Sequence, residues 1–192
     1  MSVSLPERTA LILIDLQLAI DDPRWARHGS RNNPGAEAAA SALLGRWRRL
    51  GWPIIHIRHD STEPQSTYRP GGPGHPFKPE VAPSADETII AKRVNSAFIG
   101  TDLDRYLRDI GAPVLVILGV ITNNSLEATV RNAGNLGHRV FVPEDACFTY
   151  GRQDLRGKIW AAEDVHALSL ANLHGEYATV TSSAEILAGV PA

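Results

Sequence analysis

Two short segments, Thr9-Ala10-Leu11-Ile12-Leu13-Ile14 and Val114-Leu115-Val116-Ile117-Leu118, run apolar without the alternation of a strand that has water on one face. Such runs, too short for helices in their own right, read as strands buried on both sides, which occur in parallel sheets covered by helices. The rest of the chain supplies the covering. Pro34 to Leu50 is rich in Ala, Leu and Arg, with Pro at its start and Gly51 past its end, and predicts a helix. Further strands are predicted at Trp52–Ile57, Glu87–Ala91, His138–Val142 and Tyr177–Thr181. Helices are predicted at Thr101–Ile110 with Thr101 as cap, at about Asn123–Asn135, at Ala161–Leu173, and at Ser183–Leu187, beginning with a serine cap. Alternating strands and helices give an α/β class with an open six-stranded parallel sheet and helices on both faces, Rossmann-like in outline.

The segment from Asp60 to Pro83 breaks this rhythm. Five prolines besides Pro83, and three glycines, exclude both helix and central strand, so a long ordered loop is expected, serving as a lid, an interface or a plain surface excursion. A 192-residue chain with 43% hydrophobic residues can bury a core without disulfides, so residues 1–192 are expected to form one domain. A formal charge of -2 with mixed signs offers no basic stripe for nucleic acid and no polycationic segment for a membrane surface. Cys147 is the only cysteine, and Met1 to Thr9 lacks a secretory pattern, so a reducing cytoplasm is the expected setting.

Ligands of an open parallel sheet sit beyond the carboxyl ends of the strands. Asp15 follows strand one, Lys92 strand three, and Ser125 lies just past strand four at the opening of a helix, so one sheet edge could gather an acid, a cation and a hydroxyl. Each has a plainer explanation: a loop carboxylate, a surface pair with Arg93, and a helix cap.

The run Gly119-Val120-Ile121-Thr122-Asn123-Asn124-Ser125, followed by a helix and Gly137, resembles the nucleophile segment of the isochorismatase-like cysteine hydrolases, Gly-Val-x-Thr-x-x-Cys. The resemblance extends over nearly the whole chain through Asp15-Leu16-Gln17, Lys92 with Ser96-Ala97-Phe98, Gly100-Thr101-Asp102-Leu103 and Glu144-Asp145-Ala146. It implies Asp15 as general base and acid, Lys92 as the neighbouring cation and position 125 as nucleophile. It also implies a cis Val120–Ile121 peptide, with the backbone N–H groups of Ile121 and Ser125 as an oxyanion hole. Cleavage of a small amide-type C–N bond and a homo-oligomer, dimer or tetramer, are its further implications.

Ser125 departs from that pattern, because a hydroxyl is far less acidic than a thiol with its pKa of about 8.5. Three accounts stay open: an engineered replacement that traps substrate, a natural serine enzyme or silent ligand-binding protein, and chemistry without a covalent intermediate, as in vinyl ether hydrolysis by isochorismatases. Cys147 reads as a buried structural cysteine. His56, His59, Asp60 and His75 cluster near the end of strand two, but their order differs from the metal pattern of related nicotinamidases, so neither metal nor other cofactor is expected. Gln17, Trp25 and His59 are the candidate substrate-binding residues, while Phe98 and Phe148 mark an apolar pocket or ordinary packing. Arg58 and Arg69 near the loop suggest a carboxylate, though no spacing singles one out.

Overall fold

The computed structural model describes residues 4–191. Met1 to Val3, part of the segment read for a leader, and Ala192 lie outside the described residues.

Five consecutive apolar residues form β1 (Ala10–Ile14), and every one is buried. On either side of it run β2 (Ile54–His59) and β4 (Val114–Val120), both parallel to it. The sheet continues outward through β3 (Thr88–Lys92) beyond β2, and through β5 (Arg139–Pro143) and β9 (Thr179–Thr181) beyond β4, giving the order β3-β2-β1-β4-β5-β9. These are the six expected strands. A seventh, β6 (Cys147–Phe148), is only two residues long and pairs with the end of β4 at Gly119 and Val120. A separate antiparallel hairpin, β7 (Arg152–Gln153) with β8 (Ile159–Trp160), was not foreseen. It escapes detection because its strands are two residues each and exposed, too short to show any period.

Helix α1 (Ala36–Leu50) ends on Gly51 in the left-handed region at φ 62°, the conformation for which a terminal glycine is selected. Its buried stripe includes Trp47, whose indole N–H donates to the Thr9 carbonyl at 2.8 Å and fixes the helix against β1. Helix α3 (Glu127–Asn135) links β4 to β5, α4 (Ala162–Ala171) leads towards β9, and α2 (Leu103–Asp109) precedes β4. The steps from β1 to β2 and from β4 to β5 run in opposite directions from the centre, so right-handed crossovers place α1 and α3 on opposite faces. Helix α2 begins two residues later than expected. Thr101 is not its cap; the hydroxyl instead accepts from Leu103 N and donates to the Ala97 carbonyl. The last helix, α5 (Ser183–Ala188), has its serine cap one position earlier, at Ser182, in a capping box with Glu185. No helix among the described residues is long and apolar enough to cross a membrane.

The order reverses between β1 and β4, where the chain returns from β3 to the centre. The crevice at a switch point of this kind opens at the carboxyl ends of those two strands. Gly119 allows them to close up there: at φ 123° it faces β1 so tightly that a Cβ would fall 2.2 Å from the Ile14 carbonyl oxygen.

Candidate functional site

Asp15 leaves β1 in the left-handed region, φ 53°, a conformation that short polar side chains tolerate better than most. Its backbone is pinned on three sides: its N–H donates to Ile57 O, and its carbonyl accepts from Gln17 N and the Tyr68 hydroxyl. The turn buries the carboxylate at the crevice floor. Lys92 is the last residue of β3, not the residue after it, because the strand stays in register with β2 as far as the His59–Lys92 pair. From there its fully buried side chain crosses the end of β2 to reach Asp15 beside β1.

The ammonium of Lys92 meets three acceptors: Asp15 Oδ2 at 2.7 Å, His59 Nδ1 at 3.1 Å and Ser125 Oγ at 3.4 Å. An ammonium has three hydrogens and accepts nothing, so this geometry requires His59 to be neutral with Nδ1 unprotonated. The surroundings favour that state, since burial lowers the His59 pKa and the positive Lys92 lowers it further, against the opposing pull of Asp15 and Asp60. The second oxygen of Asp15, Oδ1, is buried without a hydrogen-bond partner among the described residues. A buried carboxylate with one oxygen on a lysine and the other uncommitted is a proton acceptor awaiting a donor.

Ser125 is not in the first turn of an α-helix, as the sequence suggested. Residues Thr122–Leu126 form a π-helical turn that passes directly into α3. Such wide turns recur at functional sites because they redirect one side chain without ending the helix. Neighbouring side chains hold the turn from outside: Thr122 Oγ1 bonds His166 of α4 at 2.8 Å, Ser169 Oγ donates to Thr122 O, and Thr149 Oγ1 donates to Asn123 Oδ1. From within α3, Thr129 Oγ1 donates to Ser125 O at 2.7 Å and accepts from Ala97 N. Just before the turn, the Val120–Ile121 peptide is cis.

These groups line a cavity of about 110 Å³ whose walls include Asp15, His59, Tyr68, Trp25, Ile121 and Ser125. Tyr68 and Ser66 reach it from the Pro/Gly loop, which lacks strands but is ordered by Leu18 N to Pro76 O, Ala19 N to Gly74 O and Lys78 N to Leu16 O bonds. Gly74 is needed for that seam, since a Cβ there would lie 2.7 Å from Ala19 Cα. Sequence reasoning missed Tyr68, Ser66 and Asn95 because none belongs to a periodic element or a spaced motif, and Asn124 because it fills an unspecified position of the motif that ends at Ser125.

Two of the three candidate substrate-binding residues reach the cavity: Trp25 and His59. Trp25 is fixed by its indole N–H to Ala19 O and by ring contacts with Tyr68 and Tyr150. Gln17 does not reach it. It is fully buried, and its amide donates to the carbonyls of His75 and His59 and accepts from His59 N, so it ties β2 to the loop. Phe98 and Phe148 are also absent from the cavity; Phe148 is buried beneath the Arg31 guanidinium, 4.1 Å from the ring centre. Cys147 is buried on β6 with Sγ donating to Pro143 O, and burial pushes its thiol up to about 12. The polar groups near the end of β2 are engaged elsewhere: His56 with Glu87, and Asp60 with both Arg58 and His75. Among the described residues no group of three or more His, Cys, Asp or Glu has metal-binding geometry.

Comparison with known proteins gives a consistent answer. Residues 9–185 match the isochorismatase domain. The chain is 39% identical over 181 residues to the isochorismatase family protein YrdC of Bacillus subtilis (strain 168), covering 94% of this chain and 95% of that protein. It is 32% identical over 144 residues to streptothricin hydrolase of Streptomyces noursei, covering 73% of this chain and 54% of the relative. A crystal structure of an isochorismatase-family protein from Chromobacterium violaceum ATCC 12472 superposes with a TM-score of 0.94 at 56% identity, covering 98% of this chain and 97% of that one. With the domain match spanning most of the chain and the fold in agreement with these likenesses, the chain belongs to the isochorismatase family of hydrolases.

Proposed function

We propose that the protein hydrolyses a small amide-type C–N bond, with Asp15 as proton carrier, Lys92 as the cation that orients it, and residue 125 as nucleophile. The observation that carries this reading is the buried Asp15 carboxylate, paired through Oδ2 to Lys92 and unpaired at Oδ1, in one cavity with the Ser125 hydroxyl. In the forward step the 125 side chain gives its proton to Asp15 as it bonds to the substrate carbonyl carbon. The resulting oxyanion is held by the backbone N–H groups of Ile121 and Ser125. Asp15 then returns the proton to the departing nitrogen, and water, deprotonated by Asp15, clears the acyl group.

A hydroxyl must be deprotonated in concert with attack, because it cannot be stored as the anion near neutrality as a thiol can. Serine at the position where the resemblance places cysteine therefore implies slow turnover. The same hydroxyl favours a second reading in which nothing bonds to the protein: Asp15 protonates a vinyl ether and water adds. A silent binding protein is the third outcome. The streptothricin hydrolase relative supports hydrolysis as the reaction class without assigning that substrate here.

Ser125→Cys separates these readings. With a panel of small primary and secondary amides, the amidase reading expects kcat/KM to rise by at least about 100-fold, and Asp15→Asn in that background to remove roughly 10²–10⁴-fold. No gain on any amide would overturn it.

The resemblance also implies a homo-oligomer. Ile89 on edge strand β3, and Val94 and Ile99 in the loop that follows, are 44–55% exposed, large apolar side chains of the kind a second copy would cover. Light scattering on the intact protein, and on Ile99→Glu, tests this: an oligomer shifted towards monomer by the charge is expected, and a monomer in both would refute it.

A further inference from the structure

The inner cavity is too small for a whole metabolite. At about 110 Å³ it falls below the roughly 300–1,000 Å³ of typical ligand sites, so it accommodates the reacting group and little more. Trp25, Ser66 and Ile121 line both this cavity and a second, outer chamber of about 440 Å³. The remainder of a substrate held at Ser125 must pass those three residues into the outer chamber.

That chamber has a one-sided charge. Its lining contains Arg24, Arg27, Arg152 and His28 and no aspartate or glutamate, in a protein whose net charge is -2. Arg24 is already committed, donating through Nε and Nη2 to the Asp22 carboxylate and through Nη1 to Gln65 O. Arg27 and Arg152 form no ion pair or side-chain hydrogen bond among the described residues. The fold brings the two segments that carry them to one chamber by a specific contact. Arg27 lies in the 3-10 turn Pro23–His28, which starts from the Asp22 side chain accepting Arg24 N, and Arg152 opens β7. Between them Gly151 meets the end of the turn so closely that a Cβ would stand 2.4 Å from the His28 carbonyl oxygen and 3.2 Å from Trp160 O.

Resting on the amidase reading above, we propose that Arg27 and Arg152 form an anion subsite, and that the substrate is an anionic amide. Its carbonyl lies at Ser125, its middle passes Trp25, and a carboxylate at the far end pairs with the two guanidiniums. Forked N–H donors match a carboxylate in geometry as well as charge. Neither arginine was singled out in the sequence, where Arg58 and Arg69 looked the better candidates; Arg58 is neutralised by Asp60, and Arg69 lines a neighbouring groove that also holds Asp21 and Asp22.

The test is calorimetric binding to the native protein, which needs no turnover. The probes are adipamic acid, hexanamide and 6-aminohexanamide, which share a chain and an amide and differ in terminal charge, with their shorter and longer homologues as a length series. The best anionic amide is expected to bind at least about tenfold tighter than its neutral counterpart, with the cationic one weakest and the preference shrinking as salt is raised. In Arg27→Gln/Arg152→Gln the preference should fall to within about twofold of none. Gly151→Ala, which keeps both arginines but forces the turn from the hairpin, should reduce it too. Equal binding of anionic and neutral amides, no binding by any probe, or a preference that survives the double substitution would overturn the subsite. The two proposals fail separately: turnover of neutral amides by Ser125→Cys with no anion preference would sink the subsite alone, whereas anion-selective binding without turnover would sink the amidase reading alone.

Discussion

Lys92 and Asp15 are an ion pair with essentially no access to water, and neither can be removed alone without leaving the other buried and unpaired. Breaking such a pair from one side typically costs about 3–5 kcal/mol, whereas replacing both can be nearly neutral. Lys92→Met should therefore lower the unfolding free energy by about that much, and Asp15→Asn in the Lys92→Met background should recover a good part of it. Denaturant unfolding of Lys92→Met, Asp15→Asn and the double variant measures this, and strict additivity would show that the pair is not coupled. Cys147 gives a second test at this scale. With its thiol pushed up to about 12 by burial, it should resist iodoacetamide in the native protein and react once the chain is unfolded. Asp15, Lys92 and Ser125 were legible in the sequence because each follows or ends a recognisable strand. Tyr68 was not, since it comes from a loop with no period, and Gln17 was misassigned because adjacency to Asp15 says nothing about which way a side chain turns.

Among the elements, strand existence was easier to read than strand ends. Apolar runs mark β1 and β4, yet β3 includes Lys92 because a parallel ladder continues as far as its partner does, here to His59. The π turn at Thr122–Leu126 left no sequence signal, since Thr, Asn and Ser suit a helix cap equally well; tertiary bonds from His166, Ser169 and Thr149 accompany the wider turn. Gly119 belongs to the same junction. A side chain there would have to adopt φ 123° and displace the Ile14 backbone, so Gly119→Ala should destabilise the fold by about 2–5 kcal/mol, combining strain with overpacking. Gly137→Ala, at a positive-φ glycine with open space around its Cβ, should cost less, about 1 kcal/mol. Comparable losses in thermal or denaturant unfolding would contradict the close β1–β4 approach.

At the scale of the molecule, Glu87 clamps several layers together. It receives Arg48 from α1, His56 from β2 and the backbone N–H of Ser84; burial opposes its charge, but these partners outweigh burial and hold its pKa at about 2. Glu37, buried beneath Arg31 and Lys78, is likewise held at about 2. A carboxylate with a lowered folded-state pKa stabilises above its unfolded value of about 4.3 and loses that contribution as the pH falls towards 2. Acid unfolding should accordingly steepen between about pH 4.5 and pH 2, and Glu87→Gln should flatten the slope while lowering stability at neutral pH; circular dichroism against pH reads both. The strand order was legible only as a class. Helix alternation predicts a parallel sheet, but the position of the reversal, which brings β1 and β4 together, depends on long-range pairing that no local pattern records. The outer chamber was not legible at all, because Arg27 and Arg152 are 125 positions apart and their segments approach where Gly151 packs on the His28 carbonyl. The central claim, that residue 125 bonds to substrate under the control of Asp15, is most directly tested by intact-protein mass spectrometry of Ser125→Cys quenched in acid during turnover of an amide it hydrolyses. The account predicts an added acyl mass localised to residue 125 that disappears when Asp15 is also changed to Asn; hydrolysis proceeding with no adduct at residue 125 would contradict it.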